Sequence, residues 1–485
     1  MFDDILKVSY QDYEGTARFA AMGGAFGALG GDISSIGVNP AGLAVFRKSH
    51  VSFTSSLNNI YNNSSVAGIQ TDNSRIRAGI SSLGAVIVVE NQDMIKWNIG
   101  ISYLKKTNFN RRTAVKSIFN DLSIIDYFSE KANDDKDFFA PSYISSYEAF
   151  YDYNPLDWDV VMAYGTYLID WDKEKGKYVN VLDKNDRGVY QQINSLTKGS
   201  SGETTIDIGV NCNDKFFAGI LLGMTTLNYG REVVYREYAH EDNISDFDRL
   251  TYNTNLKIRG LGLNYKIGVI YKPVQTVRLG LAFHSPDYLM YPYSTQEEDS
   301  DYPSAMDNLY SASMEVKYKS ENAPLLSGSG GDYYLFVERI KTPYKATGSL
   351  AFVFGQFGLV SMDCEYVDYS RIKLTGYDPT NIFNSDIKLF FKNTVNLRFG
   401  AEIWMKNFAL RAGYRFNQSP DKEYDLSRRT YSAGIGWRFK QFNVDMAYIQ
   451  TNTVDYYTHY KDANKITENL KNRRFALTLG WTIDD

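Results

Sequence analysis

"RRFALTLGWTI", residues 473–483, changes character with every residue. Phe475, Leu477, Leu479, Trp481 and Ile483 fall on one side, and Arg474, Ala476, Thr478, Gly480 and Thr482 on the other. A period of two is the signature of an extended strand with one apolar face. Such a face lines a protein core or faces lipid. The opposite face here is small and charged, which suits a watery or ligand-lined interior.

The pattern recurs. In "FALRAGYRF", Phe408, Leu410, Ala412, Tyr414 and Phe416 oppose Arg411, Gly413 and Arg415; in "YSAGIGWRF", Tyr431, Ala433, Ile435, Trp437 and Phe439 oppose Gly434, Gly436 and Arg438. "TVNLRFGAEI" and "GLGLNYKIGVIY" behave alike, with Arg398, Glu402, Lys266 and glycines on the polar side. Fourteen such strands are expected, near 49–60, 76–90, 95–108, 203–213, 214–236, 253–272, 275–290, 343–355, 357–372, 390–404, 406–417, 428–440, 441–457 and 471–483. Short turns ("NQDM", "NDK", "KPVQT", "GQFG", "MKN", "KQ") alternate with long polar loops at 61–75, 109–202, 237–252, 291–342, 373–389, 418–427 and 458–470. Short turns at one end and long loops at the other, with strands long enough to cross a bilayer when tilted, predict an all-β, antiparallel transmembrane β-barrel of fourteen strands. Aromatic residues near strand ends fit an interfacial girdle.

The totals agree. The chain has 485 residues with 38 Tyr and 28 Phe, and no stretch of 18 apolar residues that a membrane helix needs. Barrel strands average out in hydropathy, so a modestly polar composition is compatible with membrane residence. The net charge of -5 shows no basic patch for nucleic acid. Cys212 and Cys364 make neither a disulfide framework nor a zinc site. Met1-Phe2-Asp3-Asp4 lacks the basic start and apolar core of an export signal. Either the protein is cytoplasmic or numbering starts after a removed signal, and the strands favour the second.

Two regions break the period of two. In the loop 109–202, Val115, Ile118, Phe119, Leu122 and Ile125 have helix-like spacing, so an external cap with short helices is expected there. The other is "GGAFGALGGDISSIGVNPAGLA", residues 23–44. It is no phosphate loop, since no Gly-Lys-Ser/Thr follows, and its apolar run is too short for a membrane GxxxG helix. Small residues let backbones pass closely in a narrow lumen, and Asn39-Pro40 reads as a helix start. A plug inside the barrel, residues 1–48, followed by the barrel at 49–485, is the domain reading.

Residues 17–44, "ARFAAMGGAFGALGGDISSIGVNPAGLA", resemble the N-terminal hatch signature of the FadL/TodX outer-membrane transporter family, with Gly23, Gly24, Gly27 and the Asn39-Pro40-Ala41-Gly42 step as its motif. Residues 342–370 also look like members of that family. The resemblance implies a bacterial outer-membrane protein that passively moves long-chain fatty acids or aromatic hydrocarbons. The ligand would be caught at an external apolar groove, pass to a lumenal site and leave after hatch rearrangement. In some members release is sideways, through a gap made by a kinked third strand. Here the third strand alternates cleanly at Trp97, Ile99, Ile101 and Tyr103, while the second breaks around 81–84, so a bulge is expected at Ser82–Gly84 instead.

Candidate ligand residues follow from the faces. Arg398, Arg411, Arg415, Arg438 and Arg474 point inward, with Asp363, Glu365, Glu402 and Asp445. Most should pair with one another and with the plug. An arginine left over could grip a carboxylate, and Arg411 and Arg415 are the candidates. Ile118, Phe119, Leu122 and Ile125 are the candidate external groove. His50, His240, His284 and His459 lie apart without ligand spacing, and no G-x-S-x-G elbow occurs, so no enzyme, metal or cofactor is expected. The acidic runs 133–137 and 297–301 lack the glycine of an EF-hand loop. Expected partners are a hydrophobic ligand, outer-membrane lipid and lipopolysaccharide around a monomer, and no nucleic acid. A second reading is a closed barrel whose loops serve binding or adhesion.

Overall fold

The computed structural model describes residues 2–483 apart from 90–94, 147–148, 153–156, 183–185, 187, 291–308, 321–325, 335–336 and 377–379. Fourteen strands form its wall: β1 His50–Val66, β2 Ile69–Val89, β3 Ile95–Asn108, β4 Val189–Cys212, β5 Phe216–Ala239, β6 Phe247–Val274, β7 Val277–His284, β8 Lys345–Val353, β9 Gly358–Asp368, β10 Asn393–Met405, β11 Phe408–Asn417, β12 Arg428–Phe439, β13 Phe442–Tyr457 and β14 Ile466–Thr482. Each pairs antiparallel with the next, and β14 returns to β1, with Phe53 opposite Leu479 and Leu57 opposite Phe475. The ring is therefore closed, every strand being paired with a neighbour on both sides over at least part of its length, as spanning a bilayer with strands requires. No helix among the described residues is long and apolar enough to cross a membrane.

Alternation fixes the faces. Phe475, Leu477, Leu479 and Trp481 are exposed on the outer wall, and Arg474, Ala476 and Thr478 are buried inside. At one rim the strands reverse tightly. Lys406 and Lys440 adopt positive φ in two-residue turns, and Asn213-Asp214 do so in a three-residue turn, each matching the twist of the flanking strands. The sequence-predicted turn "NQDM", residues 91–94, lies outside the described residues.

At the other rim the strands run on beyond the lipid. Residues 61–75 are not a loop but the rest of the β1–β2 hairpin, turning at Ala67-Gly68. The stretch 109–202 starts with a strand, Arg111–Asn120, that pairs with β4. Helices Ile124–Asp134, Pro141–Ile144, Ala149–Asp152 and Trp158–Gly165 follow, with a small hairpin at 169–180. The helix-like spacing therefore names the cap but misplaces its first helix. The second long loop contributes a hairpin, Leu309–Tyr318 with Leu326–Tyr334, and 373–389 contains a helix, Thr380–Phe390. The acidic run 297–301 lies outside the described residues.

Inside the ring, a helix (Phe2–Ser9), a second short helix (Ala17–Ala21) and two 3-10 turns (Ile33–Gly37, Pro40–Val45) fill the lumen. Their side chains are almost all buried. Inward wall glycines admit them. A Cβ on Gly280 would strike the carbonyl of Gly27, and one on Gly413 the amide of Gly23. This backbone-to-backbone approach is what glycine on both surfaces permits.

Candidate functional site: lumen, plug and wall

Asn39 anchors the plug. Its side chain accepts from the Ala41 amide at 3.0 Å and donates to the Gly27 carbonyl at 2.6 Å and the wall carbonyl of Val269 at 3.1 Å. Pro40 takes the first position of the turn, whose free amides Asn39 caps. Ala41 and Ala44 pack on Phe217 and Ile270 of the wall. Gly31 donates to the Gly42 carbonyl at 3.1 Å, joining the glycine run to the Asn-Pro-Ala-Gly step. Gly23 and Gly24 both have positive φ, turning the chain after the second helix.

Ionic ties hold the plug to the wall. Arg18 meets Glu402 at 2.8 Å, the Gly27 amide donates to Asp363 at 3.0 Å, and Glu14 lies between Lys105 (3.4 Å) and Arg474 (3.5 Å). Tyr13 donates to Glu203 at 2.5 Å, in a cluster where Lys106 also reaches Glu203 (3.0 Å) and Asp287 (2.9 Å). Buried charges are tolerated because each finds a partner. Arg411 is consumed in this way. It pairs with Glu402 at 3.1 Å and Asp445 at 2.6 Å, so its charge is already met by two carboxylates. Among the described residues Arg415 meets only Asp12, at 3.4 Å, and its Nε is buried without a hydrogen bond there.

Two adjoining cavities lie between the plug and the upper wall. One, of about 180 Å³, is mainly apolar and is lined by Leu6, Tyr10, Ile60, Phe109, Leu426 and Leu470 among others. The other, of about 110 Å³, is bordered by Arg415, Arg474, Lys106, Asp12 and Glu14. Arg428, Thr451 and Asn472 line both. Among the cations of the apolar cavity, Lys7 and Arg111 share Asp455, and Arg111 also takes Glu468. Arg428 has no carboxylate partner among the described residues, and its guanidinium lies over the Tyr10 ring, 3.7 Å from the centroid. Sequence reasoning missed it, although Arg428 shares the inward parity of Ser432 and Gly434 at the start of its strand.

The external candidates divide. Ile118 and Ile125 are buried in the cap core, whereas Phe119 and Leu122 are exposed. Phe119 packs edge-on against Tyr190 and His240. The histidines remain apart: His284 bonds the plug carbonyl of Val38 at 2.8 Å, and His50 lies 3.3 Å from Thr482. No group of three metal-ligating side chains occurs among the described residues.

The second strand has a bulge, one residue before the expected stretch. Thr54 faces Ser82 and Ser55 faces Ile80, leaving Ser81 extra. The extra hydroxyl points inward and donates to Glu14 at 2.7 Å. β3, which alternates cleanly through Tyr103, has its own bulge at Lys106. β2 and β3 pair from Trp97 to Leu104 on β3 and no further, so above this point the two strands lose their ladder. Just there, the Glu14 amide donates to the Lys105 carbonyl at 2.9 Å, so the plug occupies the place of a neighbouring strand.

A family profile described as outer membrane protein transport protein (OMPP1/FadL/TodX) matches residues 218–479, more than half of the chain. Sequence comparison with curated proteins finds no match. In fold the chain is similar to a FadL homologue of Pseudomonas aeruginosa (TM-score 0.56, 11% identity, 97% of this chain and 99% of that one). It is also similar to the toluene transporter TodX of P. putida (TM-score 0.57, 11% identity, 98% and 100%). At that identity the likenesses speak for the fold, a plugged fourteen-stranded barrel, and the profile speaks for the lineage. The chain belongs to the FadL/TodX family of outer-membrane β-barrel proteins, which transport hydrophobic compounds.

Proposed function

We propose that this transporter carries monocarboxylate amphiphiles of the long-chain fatty-acid type, with the carboxylate on Arg428 and the chain in the apolar cavity beside Tyr10. The observation that carries the reading is an unpaired guanidinium where an apolar cavity meets a basic one. Burying a methylene contributes about 0.8 kcal/mol, and a charge-assisted hydrogen bond about 1.5–3 kcal/mol. The two together favour an amphiphile over a neutral hydrocarbon. Arg415, loosely held by Asp12, is the second candidate for the headgroup. Capture is assigned to the exposed Phe119 and Leu122, and release to displacement of the plug segment 10–14 at the unpaired span between β2 and β3.

The test is binding and uptake of oleate and its methyl ester by wild type and Arg428→Met. The variant should bind oleate at least tenfold more weakly while its affinity for the methyl ester stays unchanged. Equal loss for both ligands, or no loss for either, overturns the carboxylate assignment. Oleate uptake that is the same with and without the protein would favour a closed binding or adhesion module.

A further inference from the structure

The lipid-facing wall is not evenly greasy. Across β11–β14, β1 and β2, small outward side chains (Ser55, Ala78 and Ala433) lie among Met446, Tyr448 and Phe475, and the wall sinks into an apolar depression of about 800 Å³. The register sets the small residues among large ones. Ala433 faces Tyr448, Tyr448 faces Phe475, Phe475 faces Leu57, and Leu57 faces Ala78.

The next outward positions above this row are polar. Arg473 follows Phe475 on β14 and stands opposite Gln450 and Asn59. Lys471 comes next, opposite Asn452, which in turn faces Arg429 of β12. All three cations are exposed and none has a carboxylate partner among the described residues. The nearby Asp72 is engaged by the Asn63 amide at 2.7 Å. Arg473 lies eight residues and Lys471 ten residues from Trp481, which marks the short-turn rim. At about 3.3 Å per residue and a tilt of about 40°, those are heights of roughly 20 and 25 Å. The lipid-facing band of such barrels is about 25 Å tall. Lys471 thus stands at the outer edge of the band, and Arg473, just below it, reaches the headgroup level with its long side chain, above the depression.

We infer that this face holds a phosphorylated, acylated glycolipid of the outer leaflet, with one acyl chain in the depression and its phosphate on Arg473, Lys471 and Arg429. Charge complementarity selects the occupant. Three unpaired cations over an apolar trough fit a phosphate on an acyl anchor and do not fit a zwitterionic lipid or a bare hydrocarbon chain. The site is on the opposite side of the wall from the lumenal cavities and does not depend on which ligand the transporter carries.

The experiment is native mass spectrometry of the full-length protein released from detergent and titrated with bisphosphorylated lipid A or its dephosphorylated form. Wild type should bind lipid A at least tenfold more tightly than the dephosphorylated form. The variant Arg429→Gln/Lys471→Gln/Arg473→Gln should lose that preference, and Ala433→Phe, which fills the trough, should weaken both lipids. An unfolding temperature in detergent equal to that of wild type certifies that the barrel of each variant is folded. A wild type without preference, or a triple variant that keeps it, overturns the assignment.

Discussion

Asn39 makes three hydrogen bonds from one amide side chain, and one of them crosses from plug to wall. Space for it comes from Gly268, where any Cβ would overlap the Asn39 oxygen. Asn39→Ala removes a helix cap worth about 1 kcal/mol and leaves the Gly27 carbonyl without its donor, so the plug should lose about 2–4 kcal/mol. Limited proteolysis in detergent reads this directly: cleavage within residues 17–45 should speed up while the barrel stays intact. Asn39→Asp keeps the cap acceptor but sets a buried carboxylate against the Gly27 and Val269 carbonyls, and should loosen the plug at least as much as Asn39→Ala at neutral pH. A plug that resists protease equally in all three proteins would refute the anchor role. Such residues were legible because capping chemistry is local. Arg411 was misleading for the same reason that Arg428 was missed: parity tells which way a side chain points, and only the fold tells whether Glu402 and Asp445 are already waiting for it.

Among the elements, the cap helix Ile124–Asp134 depends on one carboxyl group. Ser123 caps the helix and donates to Glu237, whose other oxygen accepts from the Ile124 amide at 2.8 Å, from Gln191 at 3.1 Å and from Tyr235. Glu237 sits well above the lipid belt, since the exposed apolar residues of β5 end at Met224. No cation faces it among the described residues, and burial pushes its pKa up to about 7. The folded cap therefore keeps a proton between roughly pH 4.5 and 7 that the unfolded cap releases. Stability is complete below that window and falls by about 1.4 kcal/mol per pH unit through it. Hydrogen exchange of residues 124–134 should accelerate from pH 5 to 7 beyond the intrinsic rate, and Glu237→Gln should flatten the excess. A wild-type cap with no excess would show that the carboxyl is not the latch.

The same region shows why element boundaries were partly hidden. Val115 and Ile118 are three apart and both buried, which imitates a helix, because a bulge in the strand Arg111–Asn120 lies between them. Residues 61–66 and 69–75 look like loop in the sequence because the strand has left the lipid there. Once the outer face meets water it becomes Asn, Ser and Asp, and the alternation disappears from the sequence although the ladder continues.

For the whole molecule, ring closure was legible, since each membrane crossing must repeat the same two-faced pattern. The missing ladder above Leu104 was not, because an unpaired backbone edge has no side-chain signature. That edge matters for how transport ends. The plug bridges it through Glu14 and is fixed at many other points, among them the Ala17 amide, which donates to Thr478 of β14 at 2.7 Å. If release requires the plug to shift, tethering it should stop transport without abolishing binding. Ala17→Cys with Thr478→Cys, in a background lacking Cys212 and Cys364, places two thiols on segments already in contact. Oxidised, this protein should retain oleate affinity but lose uptake, and reductant should restore it. Undiminished uptake by the oxidised form would overturn release through movement at residue 17 and leave segment 10–14, which this tether does not hold, as the part that moves.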